Sequence, residues 1–414
     1  MDGEPPMSDD LLKEKLRLIE ESRVPETPAP PRRKLAYIRE ISGISHICSS
    51  SEKVVATVDG WKVAVDPRMF NKGDLALFIE IDAFLPAADK RFKSLGALQI
   101  YNEIPGYRVQ TRVFGSGKNK VLSQGILLPL ADFPEVNDTI QILRDGLSWL
   151  KSKEVIKKLI LMFHEGMDFS ELLKITKWVE PEEKTVSQLG HFPTLIHKTN
   201  HERVQKCPNL FTKAKYKHRV YQESVKMDGT SMTVYFVNNG NEAAYRSLHR
   251  MHPDCVGAHM IWPNGRFGVC SHHHDLNELG DSMYWAAARA AGLPAKLARL
   301  GRSVAVQGEL CGDGIHRNRE GLPPGAREFF VFAIWDIDRQ AYLHPRETER
   351  RAGELGLKHV PVLGYVRIRD IASSQDDLLQ RAARRDGEGL VFKCVQDGRW
   401  FKVISNTYLL ENNL

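Results

Sequence analysis

Apolar and polar residues alternate in short runs from about residue 35 onward, with the two-residue period of β-strands. Residues 54–58, 61–65 and 75–79 are such runs, and Asp-Gly and Lys-Gly-Asp sequences typical of tight turns separate them. Short strands joined by tight turns are typical of a small β-barrel. We therefore expect a β-barrel domain over residues 35–136.

The pattern changes in the rest of the chain. Over residues 147–178 the apolar side chains recur at helical spacing, which predicts a helical connector over residues 137–190. Strand-like runs then return together with helical patterns near 279–291 and 346–355. This mixture predicts one α+β domain over residues 191–414.

The first 34 residues differ from everything that follows. They combine acidic charge with a Pro-rich run at 24–31, and proline both lacks an amide donor and ends helices. We expect a flexible tail over residues 1–34, with at most one short helix at 10–22.

Composition and charge narrow the class of protein. The 414 residues carry 58 Lys and Arg against 52 Asp and Glu, a net charge of +6, which permits a polyanionic partner without requiring one. The densest apolar stretch, 159–163, is far shorter than the ~18 residues of a membrane-spanning helix, and the amino terminus is acidic. We expect an intracellular protein without membrane contact. The six cysteines include no Cys-x-x-Cys pair, which argues against a disulfide framework and a four-cysteine zinc site.

The strongest local signal is Lys226, which is followed by Asp228, Gly229 and an alternating strand pattern at 232–237. This pattern places Lys226 at the end of a strand. A nucleophilic lysine needs a free amine, and burial or neighbouring cations lower the pKa of the ammonium group. A surface lysine before a turn would give the same short Lys-x-Asp-Gly sequence. The choice between the two interpretations therefore depends on residues further along the chain.

Two later apolar runs contain side chains that fit a nucleotide. Glu309 lies in the strand-like run 304–312 beside two glycines, where a ligand's sugar can approach the backbone. Phe332 lies in the aromatic run 329–338 and is suited to stacking on a base. Taken singly, both runs fit ordinary core packing better.

Charged residues in two further strand-like runs favour a ligand. Glu388 and Lys393 share the run 386–393, and Lys402 lies in the apolar run 400–404. Buried charges need partners. A nucleoside triphosphate with a divalent metal would give the lysines phosphate oxygens and the carboxylates a cation.

In chain order, these residues resemble the motifs of covalent nucleotidyltransferases, which read here Lys226-x-Asp-Gly, Glu309, Phe332, Glu388-Gly-Leu-Val-x-Lys393 and Lys402. Within that superfamily the chain resembles the ATP-dependent RNA ligases of the Naegleria type, which carry an OB domain before the nucleotidyltransferase domain. Residues 73–86, 106–112, 122–129 and 192–205 also resemble that family. The final stretch, 401–410, resembles the end of the family's catalytic domain. The resemblance covers roughly residues 36–410, except for much of the connector at 137–190.

This resemblance implies a fold and a reaction. The fold is a small OB β-barrel followed by an α+β nucleotidyltransferase domain of antiparallel sheets flanked by helices. The reaction is ATP-dependent sealing of 3'-hydroxyl and 5'-phosphate RNA ends through a lysyl-AMP intermediate, as in RNA repair. Its cofactors would be ATP and Mg2+ or Mn2+. Its partner would be RNA, most simply a nicked duplex, and the enzyme would be a monomer.

The resemblance also implies the site residues. Lys226 would be the nucleophile, and Asp228 and Glu388 would lie near a hydrated metal ion. Glu309 would bind the ribose hydroxyls, Phe332 the adenine face, and the last two motif lysines the α-phosphate. The residues implied to bind the nucleotide are Lys198, Thr199, Arg203, His272, Glu309, Phe332, Lys393 and Lys402.

Two positions depart from the family's pattern. His272 stands where the family has arginine, and if its protonated imidazole replaces that cation, activity should fall as the pH rises past its pKa. His316 stands where the family usually has glutamine, a change that we expect to be tolerated. The histidines and cysteines of this region also permit a zinc site, although their spacing matches no familiar one; they are His249, His252, Cys255, His259 and Cys270.

Two other functions remain open at this point. An mRNA guanylyltransferase shares the lysine chemistry but needs a trailing OB domain, and few residues follow Lys402. A catalytically weakened pseudo-ligase would hold RNA without turnover, and His272 is the argument for it. In the ligase interpretation, RNA phosphates would contact basic residues around one predicted hairpin of the barrel, which are Arg108, Arg112, Lys118 and Lys120.

Overall fold

The computed structural model describes residues 33–47, 50–93, 95–115, 120–164, 167–179, 188–199, 201–244, 260–280 and 282–412. The predicted tail lies outside these residues apart from its last two positions, and so does the helix predicted at 10–22. Within the described ranges, no helix combines the length and the apolar character needed to cross a membrane.

Short antiparallel strands build the amino-terminal part, as the alternating pattern predicted. Five of them form one sheet in the order β10-β4-β1-β2-β3, four form a second in the order β11-β5-β7-β6, and β8 pairs with β9 in a hairpin. The strands are β1 (Ala36–Ile47), β2 (Ser50–Val58), β3 (Trp61–Val65), β4 (Leu75–Ile79), β5 (Ala83–Pro86), β6 (Leu98–Tyr101), β7 (Ile104–Arg108), β8 (Arg112–Phe114), β9 (Val121–Ser123), β10 (Ile126–Pro129) and β11 (Thr176–Lys177).

The first residues of strand β1, 36–38, are all buried, and because successive side chains of a strand point to opposite sides, both faces are buried there. Tyr37 packs with Trp61 and Phe78 inside the barrel. Its neighbour Ile38 packs on the other face, under two helices that contribute Ile140 and Ile160. The barrel therefore shares a second apolar core with the segment that follows it.

Those two helices are α1 (Pro134–Gly146) and α2 (Lys153–His164). The apolar stripe predicted for this segment is only partly buried, since Val155 and Phe163 are 44% and 53% exposed. Ile160 is buried instead against the barrel. A lysine of α2, Lys157, forms an ion pair of 2.8 Å with Glu40 of β1.

The carboxyl-terminal part contains two mostly antiparallel sheets with helices packed on them. Its strands are β12 (Gln188–His191), β13 (Glu202–Arg203), β14 (Val220–Lys226), β15 (Thr230–Asn238), β16 (Met260–Trp262), β17 (Gly265–Cys270), β18 (His274–Leu276), β19 (Val304–Gly312), β20 (Arg327–Asp336), β21 (Ala341–Tyr342), β22 (Lys358–His359), β23 (Val362–Arg367), β24 (Gly389–Cys394) and β25 (Trp400–Ile404). Its helices are α3 (Asn209–Thr212), α4 (Met283–Ala290), α5 (Leu293–Ala298), α6 (Pro345–Glu354), α7 (Ile368–Ile371), α8 (Gln375–Ala383) and α9 (Asn406–Asn412).

The larger sheet has the order β12-β18-β17-β15-β19-β20-β21, with β16 beside β17 and β22 beside β20. Trp285 of α4 and Leu297 of α5 are buried in its apolar core. The smaller sheet has the order β13-β25-β24-β14-β23, and Leu378 of α8 is buried in its core. The prediction of a β-barrel followed by an α+β domain of antiparallel sheets flanked by helices is confirmed.

The chain crosses from one sheet to the other immediately after Lys226. Lys226 is the last residue of β14 in the smaller sheet, and Thr230 begins β15 in the larger one. The crossing passes through Gly229, where a Cβ atom would lie 2.5 Å from the carbonyl oxygen of Leu310. Only glycine allows this close approach, so the Asp-Gly sequence positions Lys226 between the two sheets.

Candidate active site

A pocket lies at this crossing and takes its walls from both sheets. The smaller sheet contributes Lys226, Lys393 and Lys402, and the larger one contributes Glu309 and Phe332. The predicted site residues that line the pocket are Thr199, Lys226, His272, Glu309, Phe332, Lys393 and Lys402. Residues more than 200 positions apart in the chain thus meet in one place.

The amine of Lys226 faces a carboxylate. Its Nζ atom lies 2.5 Å from Oε2 of Glu388, which immediately precedes β24. Burial lowers the pKa of Lys226, but the charges of Glu388 and Glu309 outweigh burial and raise it above the ordinary value. The sequence argument expected a lowered pKa. In the protein alone Lys226 is an ammonium ion, because two carboxylates share its pocket.

Glu309 is the second carboxylate beside Lys226. Burial raises its pKa to about 7, although the positive charge of Lys226 acts in the opposite direction. A carboxyl group with this pKa exists in both forms at neutral pH and can donate or accept hydrogen bonds. It is therefore suited to hydroxyl groups of a ligand.

Lys393, which is buried, and Lys402, which is half-buried, are pocket lysines without a carboxylate ion pair in the described part of the chain. Burial lowers the pKa of each to about 7, and the charges of Lys226 and Arg203 contribute at Lys402. The Nζ atom of Lys393 donates to the backbone carbonyl of Phe332 and lies 4.9 Å from the ring centroid of Trp400. Among the residues that the structure describes, neither lysine has an ion pair. An anion in the pocket would supply the missing negative charge.

His272 lines the pocket as a neutral imidazole. Burial and the positive charges of Lys198 and Lys177 are among the causes that lower its pKa to about 2. In the protein alone His272 therefore does not supply the positive charge of the family's arginine, and the pH-dependent activity that a protonated His272 would give stays a prediction. Burial beside other cations removes the charge that the replacement would need.

Lys198 and Arg203 lie next to the pocket rather than in its lining. The Nζ atom of Lys198 is 3.1 Å from Nδ1 of His273. Arg203 in β13 is paired in register with Lys402 in β25. Burial lowers the pKa of Arg203, and its Nε and Nη1 atoms are buried without a hydrogen-bond partner in the described part of the chain.

The carboxylate of Asp228 contacts three other side chains of the protein. Its Oδ1 atom accepts hydrogen bonds from the hydroxyl of Tyr408 at 2.9 Å and from Nδ1 of His316 at 2.8 Å, and Nε of Arg319 lies 3.2 Å from Oδ2. Burial alone would raise the pKa of Asp228, but these hydrogen bonds and the Arg319 charge lower it. Oδ1 accepts two hydrogen bonds, whereas Oδ2 has only the contact with Arg319 and keeps acceptor capacity. The metal role of Asp228 stays a prediction.

Several residues of the site were missed by the sequence argument. Lys177 lines the pocket although it belongs to β11, which pairs with β5 of the barrel. His201 also lines it, and its ring lies 5.0 Å from that of Trp400. Tyr408 lies in the last described helix. His201 and Tyr408 lie in stretches that resemble the family, whereas no sequence signal marked Lys177.

The two remaining sequence hypotheses concern metal and RNA. Of the five residues proposed for zinc, four lie outside the described ranges, and Cys270 instead donates to Asp275. No cluster of three or more potential metal ligands occurs among the described residues.

The hairpin predicted to contact RNA is formed by β8 and β9. Of its basic residues, Lys118 lies outside the described ranges, and Arg108 lies 3.3 Å from Asp82. RNA binding by this hairpin stays a prediction.

Comparisons with known proteins give one consistent result. The RNA ligase family profile matches residues 219–404, and an OB-fold domain profile matches residues 35–130. The chain is similar to the structure of Naegleria gruberi RNA ligase with PPi, with a TM-score of 0.68 and 30% identity over 92% of this chain and 98% of that one. No curated protein sequence matches.

Mutants of the same Naegleria gruberi ligase were solved with nucleotides. A lysine-to-alanine mutant with ATP and Mn has a TM-score of 0.68 and 30% identity, over 92% of this chain and 100% of that one. A glutamate-to-alanine mutant with AMP and Mn has a TM-score of 0.69 and 29% identity, over the same shares of the two chains. The expected order of an OB domain before a ligase domain is confirmed.

Proposed function

The chain belongs to the RNA ligase family, that of the Naegleria gruberi RNA ligase, and from this premise we propose that it seals 3'-hydroxyl and 5'-phosphate RNA ends through a lysyl-AMP intermediate on Lys226. The observation that carries the proposal is the pocket in which Lys226 meets Glu309 and Phe332 beside Lys393 and Lys402, two cations that lack anions. Covalent catalysis by a lysine needs this combination of a nucleophile and anion-binding groups.

ATP fits the groups that the pocket offers. The adenine would stack on Phe332, which lies in the pocket wall, and Glu309 would bind the ribose hydroxyls. The phosphates would contact Lys393 and Lys402 and restore their charge, since a neighbouring anion favours the ammonium form. The unpaired nitrogens of Arg203 are also suited to phosphate oxygens.

The first step transfers AMP to the protein. The amine of Lys226 attacks the α-phosphorus, an N–P bond forms, the P–O bond to the β-phosphate breaks and pyrophosphate leaves. Before this, Lys226 must lose a proton to solvent, although Glu388 at 2.5 Å favours the ammonium form. Positive charge near Glu388 is therefore needed to release the amine.

A hydrated Mg2+ or Mn2+ ion near Glu388 would supply that charge and neutralise phosphate oxygens. Glu388 fits this role because its only ion pair among the described residues is with Lys226. Asp228 already contacts Tyr408, His316 and Arg319, and the acceptor capacity left at Oδ2 suits a water-mediated contact. Magnesium usually keeps several waters and takes few protein ligands.

The later steps use the same cations on RNA. AMP passes from Lys226 to the 5'-phosphate, and the 3'-hydroxyl then attacks that phosphate and expels AMP. Both transfers place negative charge where Lys393 and Lys402 can stabilise it. A nicked duplex would hold the two ends together, which is why we propose it as the substrate. We further propose that the protein acts as a monomer.

The test is incubation of the purified protein with ATP labelled at the α-phosphate, a divalent metal and a nicked RNA duplex. Labelled protein before RNA is added, and sealed RNA with release of AMP afterwards, are the expected results. A protein that binds RNA and ATP but never becomes labelled would be a pseudo-ligase, and the proposal would be wrong.

A further inference from the structure

A buried carboxylate of the barrel reaches across to the α+β domain. Glu80 follows β4 and is fully buried; it accepts hydrogen bonds from the hydroxyl of Tyr37 at 2.5 Å and from Nε of Arg33 at 3.0 Å. Its third partner is Nζ of Lys206 at 2.8 Å, in a side chain that is 16% exposed. The Glu80–Lys206 ion pair is thus buried and joins two parts of the chain that are separate in sequence.

Lys206 is placed three residues after Arg203. It ends a single 3-10 turn, Val204–Lys206, and Arg203 is the residue that caps the start of this turn. Arg203 itself has an extended backbone, with φ −73° and ψ 146°, and leads directly into the turn that Lys206 ends. Arg203 is also paired in register with Lys402, which lines the pocket. The turn that the Glu80–Lys206 ion pair anchors therefore begins at the residue beside Lys402.

Arg203 has few contacts of its own that could fix it. Its Nε and Nη1 atoms are buried without hydrogen-bond partners, and it forms no ion pair within the described ranges. Burial lowers its pKa, while the charge of Asp82, and to a smaller extent those of Glu388 and Glu80, favour its charged form. Its backbone is held on one side by the pairing of β13 with β25 and on the other by the turn that Lys206 ends, so the ion pair of Lys206 anchors one of these two supports.

Among the described residues, a second ion pair joins the barrel to the α+β domain, and it is weaker. Lys62 lies 3.0 Å from Asp376, but the two side chains are 47% and 53% exposed. Exposed ion pairs contribute little, because water screens them and long side chains lose freedom. Removing one partner of a buried pair leaves an uncompensated charge and has a much larger effect. Of the two contacts, the buried one is suited to hold a residue in place.

We infer that Glu80 is a positioning residue for the reaction with ATP, because its ion pair with Lys206 holds Arg203 in place beside the pocket. The inference rests on the proposed function and adds a residue that lies outside the ligase domain. Glu80 itself makes no contact with the pocket lining, and its effect passes through Lys206. Loss of the groups that orient metal ligands changes affinity or activity by about ten- to a hundredfold, and we expect an effect of this order for a group that orients a phosphate-binding arginine.

The experiment compares Glu80→Gln, Lys206→Met, their double mutant and the charge-conserving Lys206→Arg. Two reactions are measured, which are protein adenylylation at varied ATP and sealing of a pre-adenylylated RNA nick without ATP. We expect KM for ATP to rise about tenfold or more in Glu80→Gln and Lys206→Met, with no further rise in the double mutant. Lys206→Arg should restore KM, and all variants should seal the pre-adenylylated nick normally.

Lys62→Met is the matched control, since it removes the exposed ion pair with Asp376 and should leave KM unchanged. Thermal unfolding of every variant checks that the fold is retained. An unchanged KM in Glu80→Gln, or an equal loss of pre-adenylylated sealing, overturns the inference. If the wild type itself takes no AMP from ATP, the proposed function fails first, and that outcome is distinct from both.

Discussion

The Nζ atom of Lys226 lies 2.5 Å from the carboxylate of Glu388, so the proposed nucleophile and a negative charge form an ion pair in the same pocket. This pair, together with Glu309, raises the pKa of Lys226 against the effect of burial. In the protein without ligands, Lys226 is therefore an unreactive ammonium ion. Release of the amine is then coupled to arrival of positive charge at Glu388.

Replacing Glu388 by glutamine should lower the pKa of Lys226. The change removes the nearest negative charge but keeps a side chain of the same shape, so burial and the nearby cations act with less opposition. Reaction of Lys226 with an amine-selective reagent, followed across pH by mass spectrometry, measures this pKa without needing turnover. An unchanged profile would mean that Glu388 does not control the protonation of Lys226. Lys213, an exposed lysine, is the internal control.

Lys226→Ala should abolish protein adenylylation. The change removes the only atom proposed to bond to phosphorus, so no positioning effect can restore the step. Labelled ATP and gel autoradiography measure the outcome, with Lys213→Ala as the matched control. Label on the Lys226→Ala protein would place the nucleophile elsewhere.

The sequence predicted this site well where the residues lie in ordered motifs. Lys226, Glu309, Phe332, Lys393 and Lys402 meet in one pocket because each motif lies on or beside a strand that borders the crossing between the sheets. Each motif also carried its own local pattern, so the search needed no knowledge of distant contacts.

The electrostatics of the site could not be predicted in the same way. The charge of His272 depends on burial and on Lys198 and Lys177, which are 74 and 95 residues away in the chain. Lys177 itself reaches the pocket through a strand pair with the barrel, which no local pattern reveals. The protonation state of a side chain depends on the groups near it in space. A sequence motif shows only which residues are near it in the chain.

Binding of ATP should take up protons near pH 8. Lys393 and Lys402 have pKa values of about 7 in the protein alone and are mostly neutral at that pH. Phosphate oxygens favour the ammonium form and raise these pKa values, so protons move from solvent to protein. Titration calorimetry with the unreactive analogue α,β-methylene ATP, in two buffers of different ionisation enthalpy, counts them. Lys393→Met should reduce the count, and proton release would contradict the prediction.

Tyr408→Phe should destabilise the protein most where Asp228 is ionised. The change removes a hydrogen bond of 2.9 Å to that carboxylate, which contributes about 2 kcal/mol when the acceptor is charged. Asp228 has a lowered pKa in the folded state, so its contribution is present above the ordinary pKa and is lost as pH falls through the folded one.

Chemical denaturation at neutral and acidic pH measures this difference. The difference in the free energy of unfolding between wild type and Tyr408→Phe should shrink as the pH falls. Tyr101→Phe serves as the control, because its hydroxyl accepts from the neutral backbone N–H of Val179 at 3.2 Å and its loss should show no such dependence. If Tyr408→Phe lowers the free energy of unfolding equally at both pH values, its hydrogen bond to ionised Asp228 is not the cause of the destabilisation.

His272→Gln should change the adenylylation rate by the same factor at every pH from 6 to 9. The pKa of His272 is lowered to about 2 by burial and by neighbouring cations, so wild type carries a neutral imidazole throughout this range. Glutamine is neutral as well, and the two proteins therefore differ in shape and hydrogen bonding but not in charge. A rate ratio of wild type to His272→Gln that grows as the pH falls from 9 to 6 would show that the protonated imidazole contributes. In that case the phosphates of bound ATP would have raised the pKa of His272 into this range.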